Sequence, residues 1–317
     1  MVSGSLKMIT LLERAQGCLL GLACGDALGT TVEFYPRGKF ERLTDMRGGG
    51  QFRLQKGQWT DDTSMALCLA DSLLENDFDA LDQMNRYCLW ANTGYRSSKK
   101  RAFGIGKQTI AALSEFRCSG NPFSEKTDSR YSGNGSLMRI APIALYYFNH
   151  EKLTEYAKLS SQTTHASREC IQSCQYFVRL LQGALQGMTK TELFNLSGSL
   201  KNQYDCLQHI TSGQFISKSE NEIRGSGYVI ESLEAALWAF WHSHDYASAA
   251  LQAANLGDDA DTTAAICGQI AGAFYGVQSI PENWLVVLYL ESEIRNIATQ
   301  LINHSFSGSL KPCPHKT

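Results

Sequence analysis

Ala264-Ala265-Ile266-Cys267-Gly268-Gln269-Ile270-Ala271-Gly272-Ala273 is the stretch that sets the architecture of this chain. Its small residues recur at three- and four-residue spacing, which lets another helix approach closely even though glycine weakens intrinsic helix propensity. The stretch predicts a central buried helix. Helix-period apolar positions recur on either side of it, over Ile9–Ala27, Ser64–Glu75, Phe78–Ala91, Gly106–Phe116, Ser136–Phe148, Leu153–Ser161, Ser167–Leu185, Tyr228–His242, Tyr246–Ala254, Ala264–Tyr275 and Asn283–Ile302. No segment alternates convincingly as a strand. Asp77 and Asp245 stand where N-caps belong, and Gly187 and Gly276 fit helix stops. The expected fold class is all-α. Ser197–Ser226 is polar and punctuated by Gly and Ser, but the composition matches on both sides of it, so it reads as a surface excursion within one compact domain over 8–304. Residues 1–7, ahead of a second methionine at Met8, and 305–317 read as terminal extensions.

With 317 residues, 43% of them hydrophobic, the chain is long enough for a large core. A net charge of -2 without a dense Lys/Arg block gives no electrostatic footprint for nucleic acid. A small ligand, open to being anionic, is the better expectation. The 10 cysteines form no CxxC pair, and Cys24, Cys68 and Cys267 sit in apolar segments, as reduced thiols packed as small hydrophobes do. Apolar runs such as Trp284–Leu290 are too short to cross a bilayer, and no signal core is visible. A cytoplasmic protein without a membrane span is expected.

The chemistry gathers in two acidic segments, Thr60-Asp61-Asp62-Thr63 and Asp258-Asp259-Ala260-Asp261-Thr262-Thr263, each running into a helix-like apolar stretch. Carboxylates and threonine hydroxyls are hard oxygen ligands that suit Mg²⁺ or Mn²⁺. Thr60-Asp61-Asp62 alone reads first as helix capping, since such caps are common in any helical protein. The second segment weighs against that, because capping needs one carboxylate and three are crowded into four positions, where a bound divalent ion would offset their repulsion.

Around these segments stand Gly21-Leu22-Ala23-Cys24-Gly25-Asp26-Ala27-Leu28-Gly29, Glu33-Phe34, Gly133-Asn134-Gly135-Ser136-Leu137-Met138-Arg139, Thr164-His165, Gly227-Tyr228 and Asn255-Leu256-Gly257. In this order, and over nearly the whole chain, the set resembles the ADP-ribosylglycohydrolase family, which includes the dinitrogenase reductase activating glycohydrolases. The resemblance implies an orthogonal helical bundle around a binuclear Mg²⁺ or Mn²⁺ cleft, with Thr60, Asp61 and Asp62 on one side and Asp259, Asp261 and Thr262 on the other. It implies catalytic roles for Glu33, Asp61 and Asp261, with Glu33 in acid/base or water-positioning work; read by itself, Glu33 is an exposed loop carboxylate. Asp26 is expected to be structural, tying a turn beside Gly25. Gly133, Asn134, Gly135 and Ser136 read either as an ordinary glycine turn or as N–H groups that receive a diphosphate. The resemblance favours ligand contact there and at His165, whose plain reading is a core or surface histidine. Tyr228 either stacks on adenine or simply packs at a helix start. No Gly-Lys-Ser/Thr run marks a P-loop.

The activity implied is hydrolytic release of ADP-ribose from an ADP-ribosylated protein. Many bacterial members carry Phe-Asp-Ile-Gly near the leaving group, whereas this chain reads Phe103-Gly104-Ile105-Gly106, so that motif does not fix the linkage. Arginine linkage is expected from the Asn-Leu-Gly-Asp-Asp-Ala-Asp-Thr form of the second acidic motif. The alternatives are a hydrolase for another linkage and a non-catalytic relative that captures ADP-ribose or neutralises a toxin by occlusion. Ser97, Ser98, Lys99, Lys100 and Arg101 read either as a basic entrance or as a solvated loop.

Overall fold

The glycine-bearing helix runs over Ala260–Tyr275 in the computed structural model, which describes residues 8–199 and 203–307. The expected extension at 1–7, most of that at 305–317, and positions 200–202 of the expected surface excursion lie outside the described residues. In chain order the α-helices are α1 (Leu11–Gly29), α2 (Asp61–Asn76), α3 (Ala80–Thr93), α4 (Lys107–Ser119), α5 (Ala141–Tyr146), α6 (Leu153–Gln162), α7 (Arg168–Leu185), α8 (Lys190–Ser199), α9 (Gln208–Thr211), α10 (Val229–Trp241), α11 (Tyr246–Ala254), α12 (Ala260–Tyr275), α13 (Glu282–Leu285) and α14 (Glu291–His304). Among the described residues β-structure is limited to isolated bridges, so the fold is all-α. No described helix is long and apolar enough to cross a membrane.

α12 lies along α1 and also packs on α7, α10 and α11. Its partner was not identifiable from α12 alone; α1 answers it with Gly17, Gly21, Gly25 and Gly29, one per turn. A Cβ built on Gly268 would fall 2.7 Å from the carbonyl carbon of Gly21 and closer still to its oxygen. The two backbones therefore touch, which only glycine permits. One end of this seam brings Asp26 of α1 and Asp261 of α12 together, because a Cβ on Gly29 would lie 2.5 Å from the Asp261 Cα.

Several boundaries differ from the periodic reading. Asp77 does not cap α3; it ends α2 with φ +56°, and Asp79 is the cap, accepting from the amides of Leu81 and Asp82. Asp245 does cap α11, in a reciprocal pair with Ser248. Gly187 follows the end of α7 with φ +82°, and Gly276 ends α12 with φ +77°. Ser136–Phe148 shortens to Ala141–Tyr146, because Pro142 favours a helix start there and Arg139 holds the preceding turn by its Gly135 carbonyl. Asn283–Ile302 breaks into α13 and α14 at Leu290, whose φ is +56°, where the Tyr289 amide leaves the helix to donate to the Gly57 carbonyl. The described part of Ser197–Ser226 is more than a surface excursion: Tyr204, Leu207, Ile210, Phe215 and Ile223 are buried in the core.

Candidate active site

Asp26 is the residue around which the site assembles, although it sits inside an otherwise apolar buried run of α1. Thr60 occupies the N-cap position of α2 but makes no side-chain capping bond. The free amides at that end are served from α1: one Asp26 oxygen accepts from the Thr60 amide at 2.8 Å and hydroxyl at 2.9 Å, and the other accepts from the Thr63 amide at 3.0 Å and hydroxyl at 2.7 Å. Asp26 thus ties two helices rather than a turn. Asp61 and Asp62 are left free for other work.

The Thr60 hydroxyl lies 2.9 Å from Asp26 Oδ1, 3.1 Å from Asp62 Oδ2 and 3.2 Å from Asp261 Oδ2. One hydroxyl has one proton to donate, so three carboxylates converge on a donor able to satisfy one of them. Asp62 Oδ1 and Glu33 Oε2 are buried with no hydrogen-bond partner. Asp26, Asp62 and Asp261 each offer an oxygen within 4.8 Å of the others, and Glu33, Asp259 and Asp261 do the same. No described lysine or arginine pairs with any of them. Burial first, and the neighbouring carboxylates second, push Glu33, Asp61, Asp62 and Asp261 well above the usual carboxylate range. Such a cluster is a poor structural element and a fitting cradle for hard divalent cations: oxygen donors only, two orphaned buried oxygens, and no internal counter-charge.

The carboxylates form the floor of a cavity of about 800 Å³. Glu33, Asp61, Asp259, Asp261 and Thr262 line it, while Thr60 and Asp62 are buried beneath. Glu33 is therefore not an exposed loop carboxylate. Gly133, Asn134, Gly135 and His165 form a wall of the same cavity. Asn134 ties that wall to the floor, its side-chain amide donating to Asp259 Oδ2 at 2.6 Å and Ser232 Oγ at 2.8 Å. Two amides of the glycine turn are already used, Gly133 by Gln108 Oε1 and Asn134 by the Gly227 carbonyl. Those of Gly135 and Ser136 have no protein acceptor among the described residues. The Ser136 side chain turns away to Ser161 and Cys174. Tyr228 is exposed at the N-cap of α10, bridged to Gly133, with its hydroxyl donating to Glu169 at 3.0 Å. It flanks the wall rather than lining the cavity. His165 is buried, and desolvation with the nearby Arg139 charge pushes it down to about 3, so it is neutral at working pH.

The expected basic entrance is elsewhere. Ser97 and Ser98 are buried, Lys99 donates to the Phe52 carbonyl at 2.5 Å and covers the Phe103 ring, and Lys99 and Lys100 open onto a separate pocket with Arg96 and Tyr289. The acidic cavity is lined on one side by Phe34, whose ring lies 6.2 Å from Phe52, itself 5.2 Å from Phe103 under Lys99. Sequence reading missed the ties that Asp26 makes to Thr60 and Thr63 and that Arg139 makes to Gly135 and Thr164. A lone carboxylate in the apolar run of α1, and a lone arginine in the apolar run after Gly135, were the signals available.

Gly104 has φ +77°, and a Cβ on it would lie 2.7 Å from Asp61 Oδ1. Gly104→Ala is expected to cost about 1–2 kcal/mol through the left-handed backbone and to lower kcat/KM roughly tenfold by pressing on Asp61. Denaturant unfolding and steady-state kinetics read the two effects separately.

Comparison with known proteins gives a consistent picture. The ADP-ribosylglycohydrolase family profile matches residues 7–309. ADP-ribosylarginine hydrolase Tri1 of Pseudomonas putida (strain GB-1) is 41% identical over 93% of this chain and 79% of its own length. The ADP-ribosyl-[dinitrogen reductase] glycohydrolase of Rhodospirillum rubrum is 32% identical over 92% of this chain and 96% of its own. A solved structure titled ADP-ribosylglycohydrolase-related protein complex superposes with a TM-score of 0.84 at 40% identity, covering 93% of this chain and 99% of that one.

Proposed function

We propose, because this chain belongs to the ADP-ribosylglycohydrolase family, that it hydrolyses the N-glycosidic bond joining ADP-ribose to an arginine side chain of a protein, with two Mg²⁺ or Mn²⁺ ions as cofactors. The observation that carries this reading is the set of carboxylates from three separate segments, buried without a cationic partner at the floor of one ligand-sized cavity. Thr60, Asp61 and Asp62 on one side and Asp259, Asp261 and Thr262 on the other are the groups that would hold the ions, with Glu33 beside them and Asp26 fixing the Thr60 end of α2 from below. Bound there, divalent cations supply charge neutralisation and Lewis acidity toward ribose hydroxyls and water.

The protein's own groups divide the remaining work. The Gly135 and Ser136 amides offer donors for phosphate oxygens, and His165 offers a neutral ring nitrogen. Asn134 keeps that wall in register with Asp259. Water oxygen bonds to the anomeric carbon, the carbon–nitrogen bond to the guanidine breaks, and the guanidine leaves protonated. Glu33, at the cavity surface, is placed to accept the proton that the attacking water gives up and to pass it to the departing guanidine nitrogen. Phe34, exposed on the cavity lining, offers an aromatic surface to the departing guanidinium.

The test is release of ADP-ribose from arginine-, serine- and cysteine-linked protein substrates with Mg²⁺ or Mn²⁺. Release from the arginine linkage is expected. Binding of free ADP-ribose without release from any linkage would contradict hydrolysis and support the capture reading.

A further inference from the structure

Arg139 is completely buried, yet no carboxylate neutralises it. Its guanidinium lies 4.8 Å from the Tyr87 ring centroid and donates to the Gly135 carbonyl at 2.7 Å, the Thr163 hydroxyl at 3.3 Å and the Thr164 hydroxyl at 2.8 Å. A buried unpaired cation is costly, so its retention behind the cavity wall calls for a use.

Proton counting supplies one. Guanidinium groups only donate, so Thr164 Oγ1 accepts from Arg139 and keeps its own proton to give. His165 Nδ1, 2.7 Å away, is the acceptor within reach of that hydroxyl among the described residues. Nδ1 therefore carries a lone pair, and the proton of the neutral ring is on Nε2. Nε2 lies beside the glycine turn with which His165 lines the cavity: Cβ atoms built on Gly133 and Gly135 would meet it at 3.3 Å and 3.0 Å. Among the described residues the ring's hydrogen bond is the one at Nδ1.

We propose that Arg139 and Thr164 are positioning residues that lock His165 as a neutral Nε2–H donor aimed at an oxygen of the bound ligand. The ligand's identity rests on the ADP-ribosyl reading above; the locked ring does not. Through the Gly135 carbonyl, Arg139 also holds the free glycine-turn amide in the same register as that donor.

Long-range ¹⁵N correlation spectra of the full-length, metal-free protein, with the ring assigned by loss of signals in His165→Gln, test this without substrate. The wild type is expected to show Nδ1 unprotonated and Nε2 protonated. Thr164→Val is expected to give a tautomer mixture and, in the metal-loaded enzyme, a KM about tenfold higher with kcat little changed; Thr164→Ser is expected to restore both. Arg139→Lys, which keeps the charge but not the two-pronged reach, is expected to give the same mixture. A protonated Nδ1 in the wild type overturns the proposal, and a wild-type ring pattern in Thr164→Val or Arg139→Lys overturns the role of that residue. Absence of turnover by the wild type would overturn the functional reading alone, because the ring pattern is read before any ligand is added.

Discussion

Asp261→Asn is expected to lower kcat/KM for arginine-linked substrate by roughly a thousandfold, a loss of about 4 kcal/mol of transition-state stabilisation, without destabilising the metal-free protein. Asp261 belongs to both carboxylate groups, so one substitution disturbs both at once. Asparagine keeps the shape: its side-chain oxygen can still accept from the Thr262 amide, and its NH2, in place of Oδ2, can donate to the Thr60 hydroxyl oxygen. What it removes is a buried charge that its neighbours oppose. The sign follows from the raised protonation of Asp261: a carboxylate held above its ordinary range stabilises the fold below that range and destabilises it as pH rises through it. At neutral pH the metal-free variant should therefore unfold at the same temperature as the wild type or higher. A structural carboxylate would behave in the opposite way, losing stability together with activity. Thermal unfolding in chelator, set beside steady-state kinetics in Mn²⁺, separates the two cases.

Gly268→Ala is expected to destabilise the fold by about 3 kcal/mol or more, a fall in Tm of roughly 5–10 °C. Helix propensity alone argues for the reverse, since alanine inside a helix is worth about 1 kcal/mol over glycine. Sterics win here because the new methyl group would meet backbone, the Gly21 carbonyl of α1, rather than a side chain that can turn aside. Relief requires α1 and α12 to separate, and these helices carry Asp26 and Asp261. Activity should fall with stability, in contrast to Asp261→Asn. A variant of wild-type Tm would show that the helices do not cross at backbone contact.

The same seam shows what could be read before the structure. The period and the small residues of Ala264–Ala273 announce a helix built for close packing, and that much follows from the sequence by itself. They do not say that Gly17, Gly21, Gly25 and Gly29 are the other half, because glycines at four-residue spacing occur for several reasons. Helix interiors were legible because amphipathic period is a local property. Ends were less so: Leu290 breaks the Asn283–Ile302 pattern only because the Tyr289 amide finds Gly57, more than two hundred residues away in the chain.

At the site, Asp61, Asp62, Asp259 and Asp261 were visible because crowded like charges demand an explanation wherever they sit. Asp26 was not, since one carboxylate in α1 looks like any local cap until Thr60 and Thr63 are placed against it. Arg139 was quoted as part of a motif without a role, because its consequence runs through a hydroxyl to a ring nitrogen and exists only in three dimensions. Gly104 was legible as a departure from the family pattern. Its contact with Asp61 was not.

Anomalous diffraction at the manganese edge, from crystals of the full-length protein grown with Mn²⁺, examines the shared carboxylate cage itself. The account predicts ions enclosed by oxygens of Thr60, Asp61 and Asp62 at the start of α2 and of Asp259, Asp261 and Thr262 at the start of α12. Peaks elsewhere on the molecule with none between α1, α2 and α12 would contradict it.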